Sequence, residues 1–437
     1  MLVSDARHGK ITPEMKAVAE MEGRPPEFIM RGVANGRIVI PKNAGRENLR
    51  VCGIGEGIST KVNANIGTSP DYVNIEEELE KLNVAVKYGA DTVMDLSIGG
   101  NLREIRRRII KNSGVPVGTV PIYQAGIEAA EGGSLAEMTE DDVFNAVREH
   151  ACDGVDFMTV HCGLTRNILE NMKKSERVLN LVSRGGALIA AWMIETGKEN
   201  PLFKEFDYLL EIAREFEIVL SLGDAMRPGC LADASDELQF EELVTLGKLV
   251  ERARESGVQV IVEGPGHLPL DQIWANVRLE KTLCRGAPFY VLGPLVTDIA
   301  PGYDHWVGAI GGAVAAWAGA DFLCYLTPAE HLCLPSVDEV REGVIATKIA
   351  AHVGDLAKGI DSGRDLMMAR ARRSLDWASQ FDLSIDPETA RGLRSKRPPA
   401  IDPRTCAMCG KWCAIKIVDE YLKKSLEKTN KQGENRL

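Results

Sequence analysis

The segment Thr405-Cys-Ala-Met-Cys-Gly-Lys-Trp-Cys413 spaces three thiols as C-x2-C-x3-C. Thiolates this close in sequence can converge on one metal centre, and Gly410 permits the tight turn between them. A tetrahedral zinc site needs four ligands, and no His or Cys follows Cys413. A [4Fe–4S] cluster held by only three cysteines keeps one iron open. An open iron can chelate S-adenosylmethionine, and electron transfer then cleaves its C–S bond to give a 5′-deoxyadenosyl radical. The spacing favours this reading over zinc, and zinc over incidental thiols, without deciding among them.

Further residues form a second set. His267 lies in Glu263-Gly-Pro-Gly-His267 and His331 in Pro328-Ala-Glu-His331. As neutral imidazoles they are candidate metal ligands, and ordinary hydrogen-bonded loop histidines are the alternative. Ser183-Arg-Gly-Gly186 and Asp224-Ala-Met-Arg-Pro-Gly229 pair a cation with turn formers. Arg184 and Arg227 could each fork onto a phosphate beside glycine-turn N–H groups, or could simply sit on surface turns. Gly53-Ile-Gly-Glu-Gly57 lacks the dinucleotide spacing and precedes a strand, so it is set aside. Isolated cysteines such as Cys152 and Cys324 are assigned to packing.

These groups must be positioned by repeated elements. Eight short β-rich runs recur: Lys61–Asn65, Thr92–Leu96, Gly118–Tyr123, Asp156–His161, Glu217–Leu222, Val258–Glu263, Phe289–Leu292 and Phe322–Tyr325. Intervening segments such as Glu241–Ser256 and Val337–Leu356 carry apolar residues at helical spacing. Alternation of this kind implies βαβ units and a parallel sheet. Asn65, Tyr123, His161, Asp224, Glu263 and Tyr325 fall at or just past the C-terminal ends of runs, where barrel enzymes place their chemistry. The expectation is an α/β fold, a (β/α)8 barrel over 51–356, with a doubly wound open sheet, which would gather these groups at a switch point, as the alternative. An N-terminal helical and strand extension occupies 1–50, with a strand near Arg37–Ile40. A C-terminal helical and cluster-binding region covers 357–437, with a linker from Arg394, an amphipathic helix over Ala414–Lys428 and a frayed tail.

Length and composition agree. The chain has 437 residues, 45% of them hydrophobic, and a net charge of −11, which disfavours general nucleic-acid binding. The apolar run from Trp306 to Ala320 is too short and Gly-rich for a membrane span. The first residues carry no apolar signal core, so the ten cysteines are expected as reduced thiols in a cytoplasmic protein.

The chain resembles the phosphomethylpyrimidine synthase (ThiC-type, radical SAM) family in its short form. The resemblance is carried by Ile11-Thr-Pro-Glu-Met15, Asn63-Ala-Asn-Ile-Gly-Thr-Ser69, Gly118-Thr-Val-Pro-Ile-Tyr-Gln124, Phe157-Met-Thr-Val-His161 and Ser183-Arg-Gly185. It continues through Gly223-Asp-x-x-Arg-Pro-Gly229, Glu263-Gly-Pro-Gly-His267, Ala300-Pro-Gly-Tyr-Asp-His305 and Glu330-His331. It implies a barrel, a C-terminal cluster domain, and a homodimer whose subunits complete each other's active sites. It also implies radical rearrangement of 5-aminoimidazole ribotide with S-adenosylmethionine and an electron donor such as a flavodoxin or ferredoxin. By matched motif, Asn65, Met94, Tyr123, His161, Ser183, Arg184, Gly185, Asp224, Ala225, Met226, Arg227, Glu263 and Tyr290 contact the ribotide. Glu263 and His161 are the proton-transfer candidates. His267 and His331 bind zinc or another divalent metal, and Cys406, Cys409 and Cys413 hold the cluster.

Two departures bear on the product. The last cysteine gap is three residues where the family usually has four. Ala225, Met226, Trp306 and Val307 replace smaller or more polar family residues. On these four side chains the expectation leans to the paralogous 5-hydroxybenzimidazole synthases, which make a cobamide lower ligand. The alternative is 4-amino-5-hydroxymethyl-2-methylpyrimidine phosphate for thiamin. A distant rival is a zinc-dependent barrel hydrolase using His267, His331 and Glu263.

Overall fold

The computed structural model describes residues 1–47 and 49–434. Two short strands, β1 (Ile38–Val39) and β2 (Ile54–Gly55), pair antiparallel. Eight parallel strands then close into a barrel in the order β10-β3-β4-β5-β6-β7-β8-β9. They are β3 (Lys61–Ile66), β4 (Thr92–Asp95), β5 (Val117–Thr119), β6 (Phe157–Val160), β7 (Val219–Leu222), β8 (Val260–Gly264), β9 (Phe289–Leu292) and β10 (Phe322–Cys324). Their residues are almost all buried, since helices cover the outside and side chains fill the inside. All eight expected runs are strands. The third is shorter than expected because Pro121 opens the helix Pro121–Gly132, where its fixed φ and missing N–H cost nothing.

The barrel is anchored at its N-terminal end by buried polar pairs. Lys61 meets Glu22 at 2.8 Å, tying β3 to the N-terminal helix Pro13–Glu22. Asp156, just before β6, accepts the backbone N–H groups of Asn43 (3.0 Å) and Val117 (2.9 Å). The first residues form helices Leu2–Arg7, Pro13–Glu22 and Pro26–Ala34 around a small core of their own. The strand expected near Arg37–Ile40 is β1. Its partner β2 lies in the glycine segment set aside above. Gly55 sits at φ 152°, and a Cβ there would lie 2.1 Å from the Arg37 carbonyl oxygen, so only glycine fits.

The expected helices are Glu237–Glu255 and Val337–Ala357. The apolar run from Trp306 lies in Asp304–Ala318, and among the described residues no helix is long and apolar enough to cross a membrane.

The chain divides into two compact units, 1–360 and 361 onward. The second holds helices Gly363–Ser374, Trp377–Leu383, Pro387–Lys396 and Ala414–Glu434, with a 3-10 turn at Gly410–Trp412. Its packing is largely polar and aromatic. The Arg394 guanidinium lies 3.6 Å from the centre of the Trp377 ring, whose Nε1 donates to Arg404 O at 2.8 Å. Helix Pro387–Lys396 continues through Arg394, where a linker was expected. The last helix runs to Glu434, into the tail expected to fray, whose final three residues lie outside the described ones.

Candidate active site

Strand register brings the polar residues to one end of the barrel. Asn65 of β3 stands beside Met94 of β4, and Glu263 of β8 beside Tyr290 of β9. Tyr123, His161 and Asp224 follow the ends of β5, β6 and β7. Together with Ser183, Arg227 and Cys324 they line one open cavity of about 510 Å³. Nine of the thirteen expected ribotide contacts therefore share a wall: Asn65, Met94, Tyr123, His161, Ser183, Asp224, Arg227, Glu263 and Tyr290.

The carboxylate of Glu263 is held by strands on its own sheet. Thr159 Oγ1 of β6 and Ser221 Oγ of β7 each donate to Glu263 Oε1 at 2.7 Å. Two donors on one oxygen leave Oε2 as the basic edge. Burial raises the Glu263 pKa above its ordinary value, opposed by those hydroxyls and by Arg227. Asp224 is pushed well above the usual carboxylate range by burial, with Glu263 and Glu242 adding to it and Arg227 opposing. Its Oδ1 accepts from Arg227 Nη1 at 3.2 Å, while Oδ2 is buried with no protein partner.

His161 is buried and its pKa is lowered to about 3 by desolvation and then by Arg227. It is therefore a neutral imidazole. Its Nε2 lies 2.8 Å from Ser183 Oγ, and its Nδ1 is buried without a partner. Ser183 caps the helix Arg184–Thr196 by accepting Gly186 N–H. A Cβ on Gly185 would lie 2.3 Å from His161 Cε1, so this glycine is what lets the helix start pack on the ring. Burial raises Tyr123 and raises Tyr290 well above ordinary phenols, keeping both as O–H groups at neutral pH. Asn63, deeper in β3, donates to Tyr290 Oη at 2.8 Å and to Asn65 Oδ1 at 2.7 Å.

Four expected contacts are not in the cavity wall. Arg184 lies over the Tyr123 ring at 5.2 Å, and Gly185 packs against His161. Ala225 and Met226 are fully buried in the main core and turn away from the cavity. Of the other two side chains on which the product preference rested, Trp306 is more than half exposed on helix Asp304–Ala318, and Val307 packs with Leu295 and Leu326. None of the four lines the cavity. Conversely, Cys324, assigned above to packing, does, with Sγ 3.1 Å from Asn65 Nδ2. The end of a barrel strand is the sequence signal that marks it. Thr159 and Ser221, one strand step inside the mouth, were missed: Thr159 lies within the Phe157–His161 motif but was given no role, and Ser221 lies in no motif.

His267 and His331 lie outside this wall with ring centres 5.5 Å apart. Each is oriented by a carboxylate, His267 Nδ1 at 2.8 Å from Asp298 Oδ1 and His331 Nδ1 at 3.0 Å from Asp304 Oδ1. An ionised carboxylate only accepts, so each Nδ1 is the donor to its aspartate and each Nε2 is the edge a metal would meet, as in carboxylate–histidine–metal arrangements. Among the described residues no three or more His, Cys, Asp or Glu side chains gather as a metal site, so a zinc set beyond this pair has no support. The three C-terminal cysteines do not gather as such a site either. They are free thiols on one turn, and Gly410 N–H donates to Cys406 O at 2.9 Å. Backbone N–H from Cys409 lowers the Cys406 pKa, which favours its thiolate. Desolvation and the Cys406 thiol raise the Cys409 pKa. Three soft sulfur donors on one short turn fit an iron–sulfur cluster.

A family model described as the radical SAM ThiC family matches residues 1–420. The chain is 60% identical over 420 residues to the phosphomethylpyrimidine synthase of Thermoanaerobacter sp. (strain X514), covering 95% of this chain and 97% of that one. It is 58% identical over 425 residues to that of Desulforamulus reducens, covering 97% and 98%. It is 57% identical over 422 residues to phosphomethylpyrimidine synthase 1 of Methanothermobacter thermautotrophicus, covering 96% and 97%. Among solved structures, a dihydropteroate synthase from Coxiella burnetii is 13% identical with a TM-score of 0.40, over 70% of this chain and 96% of that one.

Proposed function

This chain belongs to the radical SAM ThiC family, and from that membership we propose that it converts 5-aminoimidazole ribotide to 4-amino-5-hydroxymethyl-2-methylpyrimidine phosphate, the thiamin pyrimidine. The observation that carries the proposal is the convergence of nine family-matched residues on one barrel-mouth cavity. The preference for 5-hydroxybenzimidazole is withdrawn. It rested on four side chains that line no part of the cavity, and the relatives above carry the pyrimidine-synthase name. The hydrolase rival loses its ground as well, since Glu263 lines the cavity while His267 and His331 do not.

Cys406, Cys409 and Cys413 would hold the [4Fe–4S] cluster, and His267 with His331 a divalent metal. When bound, the cluster and S-adenosylmethionine supply one-electron chemistry that can open a ribose C–H bond. The protein's own part is binding and proton control. Arg227 offers a guanidinium to the ribotide phosphate. The phenols of Tyr123 and Tyr290 and the Asn65 amide orient ring and ribose. Glu263 Oε2 is placed to accept a proton, and the neutral His161, two strands away at the same barrel mouth, is the second proton-transfer candidate. Apolar neighbours such as Met94, Leu96 and Val120 keep water from the reacting carbons. A flavodoxin or ferredoxin would serve as electron donor, a second copy of the chain as partner, and a reducing cytoplasm as the setting.

The test is anaerobic. Reconstituted, reduced protein is given 5-aminoimidazole ribotide and S-adenosylmethionine, and products are identified by mass. The pyrimidine phosphate with 5′-deoxyadenosine is expected. 5-Hydroxybenzimidazole would overturn the product, and absence of 5′-deoxyadenosine the whole reading.

A further inference from the structure

The carboxylate of Glu242 stands behind the site, outside the cavity wall. It belongs to the helix Glu237–Glu255 and is 2% exposed. Its two oxygens accept two successive backbone N–H groups, Ala225 N to Oε1 at 3.0 Å and Met226 N to Oε2 at 2.7 Å. These are the two residues between Asp224 and Arg227, so the pinned amides are the centre of the loop that presents both side chains to the cavity. The same loop is held from two other sides. Arg177 Nη2 donates to Met226 O at 2.7 Å, and Ala225 packs on the start of helix Arg184–Thr196, where a Cβ on Gly186 would come within 2.7 Å of the Ala225 Cβ. A small second cavity between Glu242 and the site is bordered by Asp224, Arg227, Glu263, Gln239 and Asn276. Among the described residues neither amide has another acceptor, so loss of the carboxylate would leave two buried donors unpaired.

We propose that Glu242 is the positioning residue of the Asp224–Arg227 loop, setting ribotide affinity through the placement of those two side chains without touching substrate. The inference rests on the ribotide reading of the cavity. A bidentate carboxylate does this well because charge-assisted bonds to consecutive N–H groups fix both the position and the tilt of the peptide plane. Asn or Gln cannot replace it, since an amide has one acceptor atom. Burial pushes Glu242 up to about 7, with the Met226 and Ala225 amides, Arg177 and Arg227 opposing. Asp224 from the loop, Glu263 from β8 and Cys162 after β6 also face it. The bidentate grip is therefore complete above that pH and weakens as pH falls through it.

The test measures binding of 5-aminoimidazole ribotide to the full-length chain by calorimetry, for the unsubstituted protein, Glu242→Gln and Arg227→Ala. At pH 8.5 Glu242→Gln is expected to bind about tenfold more weakly, with unchanged circular dichroism. In turnover its KM should rise by the same factor while kcat stays within about threefold. At pH 6 the affinity gap should shrink, because the unsubstituted carboxylate is then protonated as well. Unchanged affinity in Glu242→Gln, alongside a loss in Arg227→Ala, would overturn the positioning role alone. Unchanged affinity in Arg227→Ala would overturn the ribotide reading and the inference with it. If Glu242→Gln does not fold, amide exchange of the unsubstituted chain decides. Protection of Ala225 and Met226 that is lost between pH 8.5 and 6 supports the role, and protection constant over that range overturns it.

Discussion

Two hydroxyls on one oxygen of Glu263 determine what that residue can do. With Thr159 and Ser221 both donating to Oε1, the ionised form is favoured at that edge, and the proton the residue gains in turnover goes to Oε2. Glu263→Gln keeps an acceptor for the two hydroxyls but cannot take up a proton. Its kcat is expected to fall by about a hundredfold or more, with ribotide affinity changed by less than about fivefold. Single-turnover product analysis beside calorimetry separates the two, and a variant that loses affinity and rate equally would make Glu263 a binding residue only. Because burial raises this pKa above 4.5, the acid limb of kcat should lie above the usual carboxylate range. Activity is present while Glu263 is ionised and is lost as pH falls through the raised value, and Glu263→Gln should lack that limb. Legibility in the sequence followed the same division. Residues at strand ends inside a motif, such as His161 and Glu263, were named from type and position. Ala225 and Met226 were misplaced because a motif states which residues stand together but not which face the ligand. Here their amides are the working part and their side chains are core. Cys324 was assigned to packing because a lone cysteine in an apolar run looks like core until the barrel closes and turns it inward.

The elements were legible wherever burial is two-sided. Apolar strand runs separated by amphipathic helices gave eight parallel strands, and the polar residues at their C-terminal ends favoured a closed barrel over a doubly wound open sheet. β1 was expected, but its partner β2 was not, because two residues carry no periodicity and Gly55 signals only a close approach. Helix ends also matter to the site. The start of Arg184–Thr196 packs on His161 through Gly185, so Gly185→Ala must displace the ring. Ribotide affinity is expected to fall by at least about tenfold, read by calorimetry, while an alanine at the exposed Gly197 that ends the same helix should leave affinity unchanged. A second element-scale prediction concerns the helix Ile273–Leu283 under the barrel wall. Its Glu280 is fully buried, neither oxygen has a well-aligned donor, and burial pushes its pKa up to about 8, with the Lys281 ammonium opposing. A carboxyl whose folded pKa is raised above 4.5 contributes stability that is full below 4.5 and is lost as pH rises through about 8. Chemical denaturation between pH 5 and 9 should show that decline, and Glu280→Gln should reduce its slope by about one proton. An unchanged slope would place the proton elsewhere.

At the scale of the whole molecule, two surfaces call for company. The thiols of Cys406, Cys409 and Cys413 sit in the unit from 361 onward. Anaerobic iron and sulfide should give a brown protein absorbing near ~400 nm. Replacing the three cysteines by Ala should abolish the colour and 5′-deoxyadenosine formation while barrel stability is unchanged, and colour retained in that variant would remove these thiols as cluster ligands. The barrel unit carries the other surface. On helix Asp304–Ala318, Trp306, Ile310 and Trp317 fall on one stripe and are each about half exposed. Trp274 of the neighbouring helix meets Trp317 edge to face at 5.0 Å, and Ile349 and Val353 extend the patch along Val337–Ala357. Three adjacent helices that leave this much apolar and aromatic surface in water are held in solution most simply by covering it. The second copy of the chain proposed above as partner is the occupant this patch would take. A two-fold axis laid on the patch would bury it against itself, since an isologous interface needs only one self-complementary surface. Aromatic side chains at the centre of such a contact carry most of its free energy. Trp317→Glu should therefore raise the dimer dissociation constant by about thirtyfold or more, read by sedimentation equilibrium, with circular dichroism unchanged. Trp412→Glu, on the cysteine turn of the other unit, should leave it as it was. A chain that sediments as a monomer at micromolar concentration, or a dimer indifferent to Trp317→Glu, would mean that the subunits meet elsewhere or not at all.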